Sequence, residues 1–484
     1  MFQIKNPFKR TSLVNASVPI TPQKPEPQSS EMPKKQENQR KSILPLVLKC
    51  LFALSVLILF GAVIPSFFKD IAVFAQTLVQ STNFTIEGNT LNPDNVRKDP
   101  SLKKDSRNKT NIMLVGIDTR SFGSATGIKN TDSMMVASYD HATNRVSLIS
   151  FPRDLVVNFP NSSSYGKINA TYAIGEARSK GNGLEYLKTG LENITGLKIQ
   201  YYAMIDLSGF ITVIDQLGGV DINVERSFKD YSYPTENYRW QTISFTKGMT
   251  HMNGDLALKF SRSRHSQQNG EGSDFARARR QQKVIQAVLD QAQKQENLQN
   301  PKKIFEILNT IASSIHVNQV TPEDIQAGLQ ILTQKGKPTI YTVVMDPLVA
   351  NSSLIQVGGY GTGYSITAKA GVKNFTNIKQ FLTDFSNEPT LNNNNLTIPI
   401  YNGKGANFSQ RYSAITKRFF YSKFKNAGNT DEYQGTLVFN TSGPDFDNLG
   451  KFIAKEIGGT YVDAADSAVK APRSGVPIVI ILGK

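Results

Sequence analysis

Residues 111–118 read Asn-Ile-Met-Leu-Val-Gly-Ile-Asp. The run Asn111–Ile117 is short and apolar and ends on Gly-Ile-Asp, the pattern of a buried strand that delivers a polar side chain at its carboxyl end. Moving outward, Ser133–Tyr139 and Val146–Phe151 are two further predicted strands joined by the turn-forming DHATN. Ala170–Ile174 and Leu184–Ile194 carry apolar residues at helical spacing, Ile199–Ile205 reads as a strand, and Phe210–Leu217 as a helix stopped by Gly218-Gly219. Val220–Val224 is again a strand, and Asn253–Phe260 and Phe275–Ala292 are helices. Two helical stretches, Lys303–Ile315 and Pro322–Leu332, and a strand, Thr339–Met345, extend this body over residues 110–390. Strands alternating with helices give the α/β class, with a central mixed sheet flanked by helices. The polar tract Asn392–Asn395 sets a boundary. Beyond it, Leu396–Tyr401, a helical Tyr412–Phe424, Gly435–Asn440, Leu449–Ile457 and Val476–Leu482 predict a small C-terminal α/β domain over 396–484.

Toward the N-terminus, residues 69–109 are polar, broken by Asn, Asp and Pro, and read as a stalk. Cys50–Phe68 carries no charge and is bracketed by Lys49 and Lys69. Its length corresponds to roughly 28 Å of helix, about one hydrocarbon core. It is apolar on all sides, unlike a core helix with one polar face, so a single transmembrane helix over 50–68 is expected. Residues 1–49 are rich in Pro, Gln, Ser and Lys and predict a disordered basic tail. Lys34, Lys35, Arg40 and Lys41 lie near the membrane entry, which puts the N-terminus in the cytoplasm and the body outside the cell. The rival is a cleaved signal peptide ending near Val73-Phe74-Ala75; its leading region and apolar run are both long for one. Either reading exports the body.

The formal net charge is +16, from 55 basic and 39 acidic side chains. A basic body favours anionic partners without choosing among phosphate, nucleic acid and membrane surface. One cysteine, Cys50, excludes a disulfide framework and a cysteine metal site, and four histidines make a histidine-rich zinc site an unsuitable reading.

Chemistry-bearing residues fall at the ends of the predicted strands, where α/β folds commonly place ligands. Asp118 follows the first strand and Asp132 precedes the second. Two hard oxygen ligands suit Mg²⁺ when phosphate and water complete the shell; taken singly, each aspartate is equally a turn cap. Ser150-Phe-Pro-Arg153-Asp154 places an arginine at the next strand end, where its planar fork suits phosphate. Its bland counterpart is a surface Arg–Asp neighbour pair. Lys167 and Asn169 precede a helix N-terminus, a natural anion site, or form an ordinary helix entry. Arg262 and Arg264, two apart, share a face in an extended segment. Arg277 and Gln281, four apart, share a helix face, and Arg279 and Arg280 add charge. Such a run is usually a solvated face, but Asp274 is the only nearby acid in the helix. Together these residues suit phosphoryl transfer. The absence of a Walker or kinase glycine-rich loop argues against a nucleotide donor.

In order along the chain, GIDTR, NTDSMM, SFPRD, KINATYAIGE, VIDQLGGVDI, HMNGDLALKFSRSR and DFARARRQQ resemble the LytR–CpsA–Psr family over about residues 110–292. IPIYNGKG and VPIVIILGK resemble the LytR-type C-terminal domain often attached to it. The resemblance implies an enzyme that moves a glycopolymer, such as a teichoic acid or capsule, from a polyprenyl-pyrophosphate carrier to peptidoglycan. It implies that Asp118 and Asp132 hold Mg²⁺, with Mn²⁺ as the alternative, and that Arg153, Lys167, Arg262, Arg264, Arg277 and Gln281 grip the pyrophosphate. Asp154 would orient Arg153, and the general base falls to Asp118 or Asp154. Ile205–Leu217 is a candidate wall for the prenyl chain, against the plainer reading of core. Two stretches, Tyr231–Trp240 and the HSQQNGEGS segment after Arg264, are longer than the family pattern and are candidate lids. The competing readings are a membrane-bound transcriptional regulator, a non-catalytic binding protein for polyprenyl phosphate or wall polymer, and a structural wall anchor. Export of the basic clusters argues against nucleic acid as a partner.

Overall fold

The computed structural model describes residues 101–118, 130–235, 239–292, 338–347, 354–392, 396–463, 470–472 and 475–484, with the short strands Thr85–Ile86, Asn89–Thr90 and Ile315–Val317 and helical positions 324, 327 and 331. The expected tail, the expected membrane span at 50–68 and the predicted helix up to residue 314 lie outside these residues. Among the described residues no helix is long and apolar enough to cross a membrane.

Six strands form the main sheet: β1 (Lys109–Ile117), β2 (Thr131–Asp140), β3 (Arg145–Phe151), β4 (Tyr201–Asp206), β5 (Ile315–Val317) and β6 (Thr339–Val344), in the spatial order β5-β4-β1-β2-β3-β6. β1, β2 and β3 form an antiparallel meander. β4 joins β1 and β6 joins β3 in parallel, and β5 pairs antiparallel with β4, so the sheet is mixed, as expected.

Alternation along the strands buries both faces, because successive side chains point to opposite sides. Met113, Val115, Met134, Val136 and Ile149 face one side, where they pack with Leu184, Leu187, Leu191 and Ile194 of α2 (Gly183–Thr195). That helix follows α1 (Ala170–Arg178) and ends on Gly196 in the left-handed region (φ 70), where glycine carries no Cβ penalty. Ile112, Met135, Ala137, Val146 and Leu148 face the other side, with Ile285 and Leu289 of α5 (Asp274–Ala292).

At the end of β4 the chain turns directly into α3 (Leu207–Gln216), whose cap Asp206 accepts from Gly209 N at 2.8 Å. α4 (Gly254–Arg262) is capped by Asn253. A Cβ on Gly254 would lie 2.3 Å from Ile211 O, so glycine is what lets α3 and α4 approach so closely. A hairpin, Phe228–Pro234 with Trp240–Phe245, and a two-stranded ribbon, Val220–Val224 with Gly248–Met252, cover these helices around Phe228, Phe245 and Phe260.

The C-terminal region forms a second sheet of β7 (Thr397–Gly403), β8 (Lys423–Asn429), β9 (Thr436–Asn440), β10 (Thr460–Asp463) and β11 (Ile478–Gly483), in the order β8-β7-β11-β9-β10. Its helices are α7 (Phe408–Arg418) and α8 (Asp447–Ile457). The predicted helix Tyr412–Phe424 is corrected: it ends at Arg418, and Phe424 lies on β8. An edge strand carries few apolar positions and leaves a weak alternation.

Between the two sheets runs α6 (Thr376–Asn387). Ile378, Phe381, Leu382 and Phe385 belong to the same core cluster as Met113 of the first sheet and Ile400 of the second. Asp384 on α6 accepts from the two terminal guanidinium nitrogens of Arg418 (2.5 and 3.0 Å) and from the Tyr421 hydroxyl. Toward the main sheet, buried Lys109 donates to Ser386 O at 2.7 Å and to Asp140 at 2.6 Å, and Arg145 pairs with Glu388 at 2.8 Å. At the far end of the expected stalk, residues 101–108 are packed on the body: Leu102 is buried, and Lys103 N donates to Tyr201 Oη.

Candidate functional site

β1 ends at Gly116-Ile117, and Asp118 follows it directly. The register with β2 pairs Gly116 with Ser133 but Ile117 with Thr131, which leaves Asp132 as an extra residue on β2. Such a bulge re-aims a side chain at the rim of a sheet. A Cβ on Gly116 would lie 2.3 Å from Ser133 Oγ, so the bulge is compatible with glycine there. Both carboxylates therefore border one cavity of 440 Å³.

Arginines converge on the same mouth from three elements. Arg153 follows β3; its guanidinium lies 3.4 Å from Asp132 Oδ1, 3.1 Å from Asp274 Oδ2 and 3.6 Å from Asp154 Oδ2. Arg262, the last residue of α4, donates to Asp118 Oδ2 at 2.8 Å, and its guanidinium is 5.9 Å from the Tyr233 ring centre. Arg264 lies just past the helix end, 3.9 Å from Asp274 Oδ1. The expectation of an extended Arg262–Arg264 pair is thus corrected: the two straddle a helix terminus and still border the same cavity. Arg277 sits in the first turn of α5, 3.2 Å from Asp274 Oδ1, and donates to Asp132 O at 3.2 Å. Burial pushes its guanidinium down to about 10, with the Asp274 carboxylate opposing the shift, so it stays charged at neutral pH.

The face of α5 that carries Arg277 and Gln281 continues with Val284, Ile285, Val288 and Leu289, all on the cavity wall. Helical spacing thus sets a charged mouth and an apolar channel on one stripe. Ile205, Leu207, Phe210, Val213 and Ile214 line the channel, so part of the Ile205–Leu217 stretch is cavity wall. Trp240, 66% exposed, also lines it.

Lys167 and Asp154 do not line the cavity. They pair with each other at 2.7 Å beside Arg153, and Asn169 makes no side-chain cap on α1. Arg279 turns to Asp346 at 3.1 Å. Arg280 is buried against Glu271 and the carbonyl oxygens of Phe260, Ser263 and Glu271, with its guanidinium 4.8 Å from the Phe228 ring centre. It holds the turn that carries Arg264.

Two aspartates that the sequence pattern does not single out also belong to the site. Asp274 contacts three arginines at once. Asp230, fully buried, accepts from Ser263 Oγ (2.7 Å) and from the backbone N–H groups of Ser232, Arg264 and His265. Burial works against its charge, yet these hydrogen bonds hold its carboxyl below the usual range. Only contacts distant in sequence distinguish either residue from an ordinary surface acid.

Among the described residues no group of three or more His, Cys, Asp or Glu side chains is placed to hold a metal. Asp118 and Asp132 border the same cavity, and a pair of carboxylates is a donor set that Mg²⁺ commonly takes, with waters and substrate phosphate completing its shell.

Residues 74–360 match the LytR_cpsA_psr family. The chain belongs to that family. Among its relatives is the polyisoprenyl-teichoic acid–peptidoglycan teichoic acid transferase TagU of Bacillus cereus, 32% identical over 178 residues, which are 37% of this chain and 51% of the relative. TagV of Bacillus subtilis, named for the same activity, is 31% identical over 258 residues, 53% of this chain and 60% of the relative. The regulatory protein MsrR of Staphylococcus aureus is 32% identical over 223 residues, 46% and 60% of the two chains. The matched part therefore spans between 51% and 60% of these relatives' own length. The crystal structure of Bacillus subtilis TagV aligns with 58% of this chain and 98% of its own, at 25% identity and a TM-score of 0.43.

Proposed function

We propose that this protein transfers a glycopolymer from a polyprenyl-pyrophosphate carrier to a cell-wall acceptor, peptidoglycan by the names of its relatives. The observation that carries the proposal is a single 440 Å³ cavity that is apolar along its length and is met at its mouth by Arg153, Arg262, Arg264, Arg277, Gln281, Asp118 and Asp132. An apolar channel ending in guanidiniums fits an amphiphile with an anionic head. A nucleic-acid surface would instead present its cations outward along a groove or helix face.

In the proposed reaction an acceptor hydroxyl forms a new P–O bond to the polymer-linked phosphorus. The phosphoanhydride P–O bond breaks, and its electron pair leaves with polyprenyl phosphate. The acceptor proton passes to a carboxylate beside the mouth, Asp118 or Asp154. The four arginines neutralise the charge that gathers on the bridging and terminal oxygens, and Gln281 donates an amide N–H. Bound Mg²⁺, or Mn²⁺, held by Asp118 and Asp132 would supply Lewis acidity to the diphosphate. Asp154 and Lys167, paired beside the cavity, set the position of Arg153. The remaining architecture in this reading is a cytoplasmic tail at 1–49, a single membrane anchor at 50–68, an extracellular transferase body and an accessory LytR-type domain at 396–484.

The test incubates purified full-length protein with a lipid-pyrophosphate-linked polymer and peptidoglycan fragments and follows release of polyprenyl monophosphate. Wild type should release it only when acceptor is present, and R262A/R264A should lower the rate by about a hundredfold or more. Equal release by the double variant would refute the assignment.

A further inference from the structure

Tyrosines form a shelf that leads away from the charged mouth on the side of Asp154. In the short strand Tyr165–Lys167 the two end residues point to one face, since they are two apart. Lys167 reaches Asp154, the neighbour of Arg153. Tyr165 meets the segment 358–365, which reads GGYGTGYS. Its ring centre lies 5.2 Å from that of Tyr360, the Tyr360 hydroxyl donates to Tyr165 O at 3.1 Å, and Lys373 Nζ stands 4.5 Å from the centre of the Tyr165 ring.

The segment is tied to the loop that carries Arg153 and Asp154 as well. Ile366 N donates to Asp154 O at 3.0 Å, and Leu155 bridges to Ile366. Tyr364 is 52% exposed. It lies two residues before Ile366, whose N–H is bonded to Asp154 O, and its phenol is raised by burial first and then by the charges of Asp274 and Asp154, with Arg153 opposing. Gly358, Gly359 and Gly361 take φ of 87, 86 and 65, a path that other residues would strain to follow.

Tyr165 and Tyr364 are exposed, and Tyr360 is half-buried beside Tyr165. An electron-rich aromatic face suits the C–H face of a pyranose ring and a phenol hydroxyl suits its polar rim; Tyr364 presents an exposed ring, and Tyr165 presents the part of its ring that Lys373 and Tyr360 leave open. Arg153 is shared: it lines the cavity on one side and adjoins the shelf through Asp154 on the other.

We propose that Tyr165, Tyr360 and Tyr364 form the acceptor subsite, which lays the hexose rings of a wall glycan across the shelf and turns one hydroxyl toward Arg153. The proposal rests on the transferase reading above and assigns its acceptor side. Asp154 and Lys167 then lie between the shelf and the mouth, where the hydroxyl enters.

The test titrates the full-length protein calorimetrically with a β-1,4-linked N-acetylglucosamine hexamer, for wild type, Y165A, Y364A and Y364F. A parallel titration with farnesyl pyrophosphate follows the emission of Trp240. The hexamer should bind wild type and Y364F comparably, and bind Y165A and Y364A about tenfold more weakly, with farnesyl pyrophosphate binding unchanged in all four. Far-ultraviolet circular dichroism checks that the variants are folded. If the hexamer fails to bind wild type, or binds both alanine variants within about twofold of it, the shelf is not the acceptor site, while intact farnesyl pyrophosphate binding leaves the transferase reading standing. If farnesyl pyrophosphate does not bind wild type, the transferase reading falls, and this assignment with it.

Discussion

Filling the channel should turn a long-chain binder into a short-chain one. Ala203 on β4 contributes only a methyl group to the wall and pairs in register with Leu114 on β1 and Val317 on β5. In A203F a phenyl ring crosses the space that the chain would occupy. Full transfer at about 0.8 kcal/mol per methylene would give roughly 4 kcal/mol for each isoprene unit. The yield seen for ligands of drug size, about 0.3 kcal/mol per heavy atom, gives about 1.5 kcal/mol. Wild-type affinity should therefore rise at least about tenfold from geranyl to farnesyl pyrophosphate. A203F should lose that increment and keep its affinity for inorganic pyrophosphate, because none of the cations at the mouth is altered. The sole tryptophan, Trp240, lines the cavity and reports occupancy through its emission. Overpacking typically costs about 1–3 kcal/mol, which a thermal melt would register separately. Equal binding of geranyl and farnesyl pyrophosphate by wild type, or an undiminished ratio in A203F, would refute the channel assignment.

Three further outcomes test the supports of the site. R280A removes a buried cation from Glu271 and three carbonyl oxygens and should cost about 3–5 kcal/mol in denaturant unfolding, whereas R279A, on the exposed Asp346 pair, should cost less than about 1 kcal/mol. Asp230 has a lowered folded pKa, so its contribution is complete above the free carboxylate value, near 4, and is lost as pH falls through the folded value; D230N should flatten the acid limb of the stability–pH curve and lower stability at neutral pH. D132N should lower the divalent-ion-stimulated rate at least about tenfold without changing the melting temperature, since its carboxylate is 45% exposed and sits on a bulge rather than in the core.

Much of the main sheet was legible because β1, β2 and β3 are buried on both faces and leave dense apolar runs between turn residues. The helices α2, α3, α4 and α5 were legible from their periodicity. The hairpin at 228–245 was not: half of its residues face solvent, and a bulge between Asp230 and Tyr233 breaks the alternation. Of the site, Asp118, Asp132, Arg153, Arg262, Arg264, Arg277 and Gln281 were read at strand and helix ends and do border one cavity. Lys167 and Asp154 belong beside it, a distinction that depends on which way a short loop faces. Asp274 was noticed only as a neighbouring acid, because its three arginine contacts come from segments more than a hundred residues apart in sequence as well as from its own helix.

The helix between the two sheets bears on mechanics. α6 lends apolar side chains to a core that is continuous from one sheet to the other and is clasped by ions and hydrogen bonds at both flanks. The C-terminal sheet is therefore no pendant bead. A load applied at β11 reaches the strand that carries Asp118 through packed side chains and the Asp384 and Lys109 clasps, and tugging on one end strains the other.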